Sequence, residues 1–317
     1  MPLPKPKEEE SRSEFVERCM VDDVTTNEFT SINQRYAVCN DLYSEERELK
    51  EIGFNRRKFR NAYSKSFTKQ YKIATKRNLK LSSQYYKKGF KNSIKEFLKS
   101  NSTDAQSYIL FFQNSDTEEM FMDIYVKTSL QFYNWYLDHY RKFIKKNFPT
   151  ENTMEYYITN YVQYSGRLAQ KISSVQKTAI KNVTNIFGKM LNDQNFVSDS
   201  IEGKTRRLSK ILNKRAVWEA RRIVVTETTL SSNLGAEKGA LTAFKKEELL
   251  KDWIQGFSMN HREGHEILSS QDPLPMGENF VNPVTGNSLR IPGEGPSSEV
   301  INCSCYVAYI PRPDVFG

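Results

Sequence analysis

Apolar residues return every three to four positions through most of this chain, the spacing of helices that bury one face. Phe59, Tyr63, Phe67, Tyr71 and Ala74 make one such stripe. Phe121, Ile124, Tyr125, Phe132, Tyr136 and Phe143 make a second, strongly aromatic one, which also carries His139 and ends at Pro149. Leu168, Ile172, Val175, Ala179, Val183 and Phe187 run close to a heptad seam, suited to packing within the chain or against another subunit. A further helix is predicted from about residue 205 through Trp218 to about residue 244. Nearer the start, Ser11 with Glu14 and Ser31 with Gln34 have capping-box spacing, each opening a short apolar helix.

Helix breakers divide the protein sharply. No proline lies between residues 7 and 148 or between 150 and 272, and seven of the eleven follow residue 272. Only Gly53 and Gly89, of fourteen glycines, precede residue 160. The expected fold is therefore mainly α, with long helices in the N-terminal two thirds and a small, loop-rich α+β domain at the C-terminus. Four segments follow: a short helical unit over residues 1–45, a basic and aromatic-rich helical region over 46–150, a helical connector over 151–215, and a C-terminal domain over 216–317.

Composition narrows the class. The chain is 38% hydrophobic and 27% charged, with no apolar run long enough to span a membrane and no signal-peptide core at its start. Four cysteines do not make a disulfide scaffold, so a reducing compartment is the default, and Cys19 and Cys39 read as buried free thiols on the two first helices. The net charge of +9 is concentrated: residues 50–100 hold 16 Lys or Arg against two acids, Glu51 and Glu96. Such a run is the footprint of a polyanion, nucleic acid first and an anionic membrane second, or else a solvated face that meets acidic patches inside an assembly. The candidates for phosphate contact are Arg56, Arg57, Lys58, Arg60, Lys65, Lys69, Lys76, Arg77, Lys87 and Lys88. The aromatics between them recur at core spacing, so they are expected to pack and not to stack on bases.

Candidate chemistry gathers near the end, where two of the three histidines and two of the four cysteines lie in NHREGHEILSSQ and INCSC. Cys303 and Cys305, one residue apart, would point to the same side of an extended strand. With His265 and His261 they could make a Cys2His2 set for structural zinc; the favoured expectation is a His–Cys–Cys packing cluster without metal. H-x-x-x-H with Glu263 between is not the zincin pattern, which needs Glu directly after the first His. Cys303 with His265 as a nucleophile and base has nothing to single it out over packing.

From about residue 217 onward the pieces fall into an order. TETTLSSNLGAEKGA (226–240) holds Glu227; Trp253 follows; Arg262 and His265 form Arg-x-x-His, with Leu268 three further on; Phe280 and NPVTGN precede PGEG; EVINCSC, with Asn302, Cys303 and Cys305, closes the set. That set resembles the C-terminal domain of the phage Mu F-like minor head proteins, a tailed-phage head-morphogenesis family, over roughly the last hundred residues. A shorter stretch, MPLPKPKEEESRSEFVERCM with QRYAVC, also resembles a segment of phage structural proteins. The chain departs from the family pattern at Val225, at Asn260 and His261 before Arg262, and at Ser269 and Ser270, where family members often carry basic or acidic residues. No catalytic role carries across. The resemblance implies a virion component inside the head, associated with the portal vertex or inner shell and assembled in the host bacterial cytoplasm. Its partners would be the portal or major capsid protein and packaged DNA, bound without regard to sequence, and no membrane. Arg262 is expected to bond loop carbonyls or to pair with Glu227 or Glu294. The expectation is a non-enzyme with no cofactor beyond an optional structural zinc. The rival is a virion-delivered metal-dependent nuclease, or another enzyme, using the His/Cys cluster.

Overall fold

The computed structural model describes residues 4, 10, 12–47, 56–140, 159, 167–256 and 261–312. Ser11, Phe143, Pro149 and Asn260, which figure in the sequence reading, lie outside them, as does the side chain of Leu168. The chain is mainly helical, and among the described residues its strands lie in the C-terminal region. The helices are α1 (Arg12–Val21), α2 (Asp23–Glu28), α3 (Ile32–Arg47), α4 (Arg56–Ser100), α5 (Asn114–Tyr140), α6 (Arg167–Leu191), α7 (Gln194–Val197), α8 (Ile201–Ala243), α9 (Glu263–Ser270) and α10 (Ser297–Val300). The strands are β1 (Leu249–Ile254), β2 (Leu274–Pro275), β3 (Phe280–Val281), β4 (Ser288–Leu289) and β5 (Tyr306–Pro311).

The chain groups into two compact units that are not consecutive segments. Unit 1 takes residues 1–70, 132–148 and 232–317, and unit 2 takes 71–131 and 149–231.

In unit 1, α1 packs on α3 and joins Cys19 to Cys39 in a disulfide, with Cα atoms 5.7 Å apart. This corrects the expectation of two buried free thiols. The twenty-residue spacing hid that two short apolar helices lie side by side. The Asp22 carboxylate caps the short helix between them, accepting from the Val24 amide at 3.0 Å. Farther along, Phe67 lies flat on Tyr306 with ring centres 4.1 Å apart, and Phe132 and Trp135 close around it. The Trp135 indole N–H donates to Ser66 Oγ at 2.8 Å, so this large ring is buried with its polar end satisfied.

The sheet of unit 1 has the order β2–β1–β5, antiparallel throughout, with β1 and β5 paired from Leu249↔Pro311 to Ile254↔Tyr306. All six residues of β5 are buried, yet it is an edge strand. Its outward amides and carbonyls need partners that water cannot supply. Side chains provide them. Tyr63 Oη donates to the Val307 carbonyl (3.1 Å), Tyr136 Oη donates to the Tyr309 carbonyl (3.1 Å), the Val307 amide donates to Asn233 Oδ1 (2.9 Å), and Asn233 Nδ2 donates to the Cys305 carbonyl (3.2 Å). Val307 and Tyr309 within the strand, and Cys305 just before it, are alternate residues, as the pattern of an antiparallel edge requires.

Unit 2 has its own core, in which Phe97 stacks on Phe187 with ring centres 4.2 Å apart and Tyr108 meets Phe187 edge-on. A polar seam runs through it. Asn78 Nδ2 donates to Thr128 Oγ1 (3.0 Å) and Thr228 Oγ1 (2.9 Å), and Tyr71 Oη bonds Thr229 Oγ1 (3.0 Å). Glu227 is buried there, accepting from Tyr125 Oη at 2.5 Å and from the Lys171 ammonium. No helix among the described residues is long and apolar enough to cross a membrane.

The edge of β5 generates an expected outcome. Asn233→Leu strands a buried amide and a buried carbonyl together and should lower stability by about 2–4 kcal/mol, whereas Tyr136→Phe removes one hydrogen bond and should cost about 1 kcal/mol. Urea unfolding of the full chain measures both. Equal and small losses would mean that water already serves this edge.

Candidate metal centre

The histidine of the site is placed by a short helix. Arg262 stands at the N-cap of α9, and Gly264, His265 and Leu268 form its buried face against β1. Because the helix starts at Glu263, His261 precedes it, and the two histidines do not share a helical face. The cysteines come from the loop between α10 and β5. Asn302 takes a left-handed conformation there (φ 58°), which Asn tolerates better than most residues, and the Cys303 amide closes the turn on the Val300 carbonyl at 3.1 Å. Cys303 and Cys305 both reach the His265 ring from this loop, not from the extended strand their alternate spacing was read on.

The three meet in the interior. His265 Nδ1 lies 3.6 Å from Cys303 Sγ and 3.7 Å from Cys305 Sγ, and the residues are 2%, 3% and 2% exposed. Neither cysteine is in a disulfide. The ring's other nitrogen, Nε2, bonds Glu299 Oε2 at 2.8 Å. The Glu299 carboxylate also accepts from Asn282 Nδ2 (3.0 Å), Thr285 Oγ1 (2.6 Å) and Asn287 Nδ2 (2.8 Å). These three come from NPVTGN between β3 and β4, where Asn282 Oδ1 caps the turn by accepting from the Val284 amide (2.9 Å) and Gly286 supplies a positive φ of 71°. Trp253 meets the imidazole edge-on, with ring centres 5.2 Å apart, and Phe280 packs behind it.

Burial alone would raise the Glu299 carboxyl, but bonds from Thr285, Asn287 and His265 outweigh it and hold the group at about 2. Burial would lower His265, and here the Cys305 sulfur and Glu299 win and raise it. The hydrogen bond between the cysteines splits the pair: Cys305, also facing His265, is held well below the ordinary thiol range, and Cys303 is pushed well above it. In chemical terms this is a closed group of one nitrogen and two sulfurs backed by a carboxylate. Glu299 already accepts four hydrogen bonds, which fills the acceptor positions a general base would need.

The other residues singled out from the sequence fall in different places. His261 is not part of the cluster. Arg262 Nη2 donates to the Ile301 carbonyl at 2.7 Å, the loop-bracing role of its two readings, while Glu294 pairs with Arg290 at 2.8 Å. Glu227 belongs to the polar seam of unit 2. Among the basic candidates, Arg57, Lys58, Lys65, Lys69, Lys76, Lys87 and Lys88 have exposed side chains, and Lys88 pairs with Asp116 at 2.8 Å; Arg56 opens α4. Two are corrected. Arg60 Nη2 donates to the carbonyls of Trp253 (3.0 Å) and Ser269 (2.9 Å), and Nε lies 3.4 Å from the buried Asp252 carboxylate. Arg77 donates to Thr128 Oγ1 (2.9 Å) and Gln131 Oε1 (3.0 Å). Both are structural cations. Sequence reasoning missed Glu299 as the partner of His265; the signal was a lone acid just before INCSC, together with the Asn-rich turn. No known protein family, curated protein or solved structure matches this chain.

Two outcomes test the surroundings of the cluster. A Cβ on Gly264 would collide with the Asn282 amide, whereas one on Gly188 would meet nothing. Gly264→Ala should therefore cost about 1–3 kcal/mol by overpacking, and Gly188→Ala, inside a helix, should gain about 0.5–1 kcal/mol, both read from urea midpoints. The second concerns Lys251 of β1, which burial lowers to about 8. An unfolded lysine keeps its proton to near pH 10.4, so between these values the unfolded state binds more protons and the Lys251 contribution to stability rises with pH. Unfolding of the wild type and of Lys251→Met at pH 7 and pH 9.5 should show the stability difference shifting toward the wild type at the higher pH; a difference independent of pH would refute the buried-lysine assignment.

Proposed function

We propose that this chain is a minor head-morphogenesis protein of a tailed phage, an assembly component that touches packaged DNA and has no catalytic role. The resemblance of the last hundred residues to the Mu F-like domain supports the class. The portal or the major capsid protein is then the protein partner. The tetrad of Glu299, His265, Cys303 and Cys305 favours a structural role, since its thiols are buried and its carboxylate is saturated. The Cys19–Cys39 disulfide suits a particle that leaves the reducing cytoplasm after assembly.

The observation that carries the DNA reading is the distribution of charge between the units. Unit 2 has 23 Lys or Arg against 13 Asp or Glu, and unit 1 has 24 against 25. Within unit 2, Lys87, Lys91 and Lys95 stand one helical turn apart on α4, and all three are exposed. They rim a cleft of about 300 Å³ with a largely apolar floor of Phe90, Ile94 and Leu212, and its other rim carries Thr205, Ser209 and Asn213 of α8. Ammonium groups and small hydroxyl and amide donors are the residues that hold phosphates without reading bases.

Fluorescence anisotropy with a duplex of arbitrary sequence, titrated over salt concentration, tests this. Wild-type binding should weaken steeply with salt, and replacing Lys87, Lys91 and Lys95 by Gln should flatten the log–log slope by about 0.9 for each phosphate that is no longer neutralised. Arg60→Gln should leave the slope unchanged and lower stability. No binding by wild type at low salt would sink the DNA reading and recast the basic face as a protein-docking surface.

A further inference from the structure

We infer that His265, Cys303 and Cys305 form a zinc site with three protein donors, oriented by Glu299, and that His261 is no part of it. This stands apart from the head-protein reading and needs none of it.

The argument begins with the ring. Its Nε2 is committed to the Glu299 carboxylate, so Nδ1 is the one nitrogen left to coordinate, and it is aimed between two sulfurs. A single ring nitrogen has one in-plane bonding direction and cannot serve two sulfurs well by hydrogen bonding. A metal ion on that direction is reached by all three donors at once. The spacing agrees: Zn–N near 2.05 Å and Zn–S near 2.3 Å put nitrogen and sulfur about 3.6 Å apart on a tetrahedral edge. The observed separations are 3.6 and 3.7 Å, and all three donor atoms lie within 4.8 Å of one another.

The surroundings are those of a metal–imidazole site. A carboxylate on the far nitrogen of a ligating histidine fixes ring orientation and strengthens the donor. Here that carboxylate is itself fixed by Asn282, Thr285 and Asn287. The Gly256 amide faces Cys305 and the Cys305 amide faces Cys303, which places N–H donors beside both sulfurs. A soft d10 ion suits two thiolates and an imidazole better than any oxygen-seeking cation does. Among the described residues no fourth His, Cys, Asp or Glu donor joins the three, so one tetrahedral corner falls to a donor outside this set. Loading binds both cysteines as thiolates and releases their protons to solvent, with no change of oxidation state.

The test uses full-length protein expressed with supplemented zinc and purified without chelator. Elemental analysis should find about one zinc per chain in wild type and in His261→Ala, and little in His265→Ala or Cys305→Ser. Glu299→Gln, checked for folding by circular dichroism, should bind zinc about 10–100-fold more weakly. Should the ligand variants fail to fold, wild type alone decides: a strong chelator should lower its melting temperature, and cobalt(II) exchanged into the site should give thiolate charge-transfer absorption and a tetrahedral visible band. Wild type that is metal-free, with a melting temperature blind to chelator, would overturn the inference. So would a Cys303–Cys305 disulfide in freshly purified protein, seen by peptide mapping as a mass two hydrogens below that of the chain carrying the Cys19–Cys39 bond alone. Loss of zinc in His261→Ala as complete as in His265→Ala would overturn the three-donor assignment.

Discussion

A buried strand edge must bond its amides and carbonyls to something, and among the described residues no further strand lies beside β5. That requirement explains features of three helices that periodicity alone leaves arbitrary. Tyrosine, where phenylalanine would fill the same space, occurs at positions 63 and 136 because each hydroxyl reaches a carbonyl of the strand. Asparagine occurs at position 233, deep in a helix whose neighbours are buried, because one amide side chain offers both the acceptor and the donor that Val307 and Cys305 need. Covering an edge in this way also removes a template for unwanted strand pairing. Cys305 lies where two networks meet. Its carbonyl is held by Asn233 and its thiol faces His265, so the cover of the sheet edge also sets the sulfur's position.

The same rule operates a second time around Glu299. A buried carboxylate is costly unless its acceptor positions are filled, and the NPVTGN turn supplies three side-chain donors while His265 supplies the fourth. The turn depends on its own Asx cap and on a glycine at positive φ, and Gly264 lets Asn282 approach the helix that carries the histidine. Thus a loop-rich stretch with little regular structure is held by side chains whose partners are already fixed. Unit 2 follows a parallel logic with different residues, its Asn78 and Glu227 networks threading an aromatic core.

How much of this could be read from the sequence depends on the range of the interaction concerned. Helical stripes are local, so Tyr63, Phe67, Tyr71 and Ala74 all proved buried, and proline and glycine marked where helices give way to loops. The run YVAYIP is apolar enough to mark a strand, but β2, β3 and β4 are two residues each and carry no pattern. His265, Cys303 and Cys305 stood out because such residues are scarce in this chain. Glu299 did not, because its role exists only once the NPVTGN turn has folded against it. His261 was misleading for the opposite reason: H-x-x-x-H suggests two ligands on one helical face, but the helix begins after the first histidine. The Cys19–Cys39 disulfide depends on how α1 packs against α3, which spacing does not encode.

Charge shows the same limit from the other side. A run of lysines and arginines suggests a polyanion only if the cations face outward, and periodicity does not say which ones do. Asp252 is fully buried on β1, and a buried carboxylate left without a cation would be strongly destabilising. Arg60 is that cation, and its remaining N–H groups brace two backbone carbonyls, so its charge is spent inside the protein. Arg77 is drawn inward in the same manner by Thr128 and Gln131. Arginine is the residue drawn inside in both cases because its planar fork can satisfy several acceptors at once, whereas lysine keeps a compact, strongly hydrated charge. The outward charge of α4 is therefore carried largely by lysine. Of the arginines on α4, Arg60 and Arg77 are thus held inside, while Arg57 stays exposed beside the lysines.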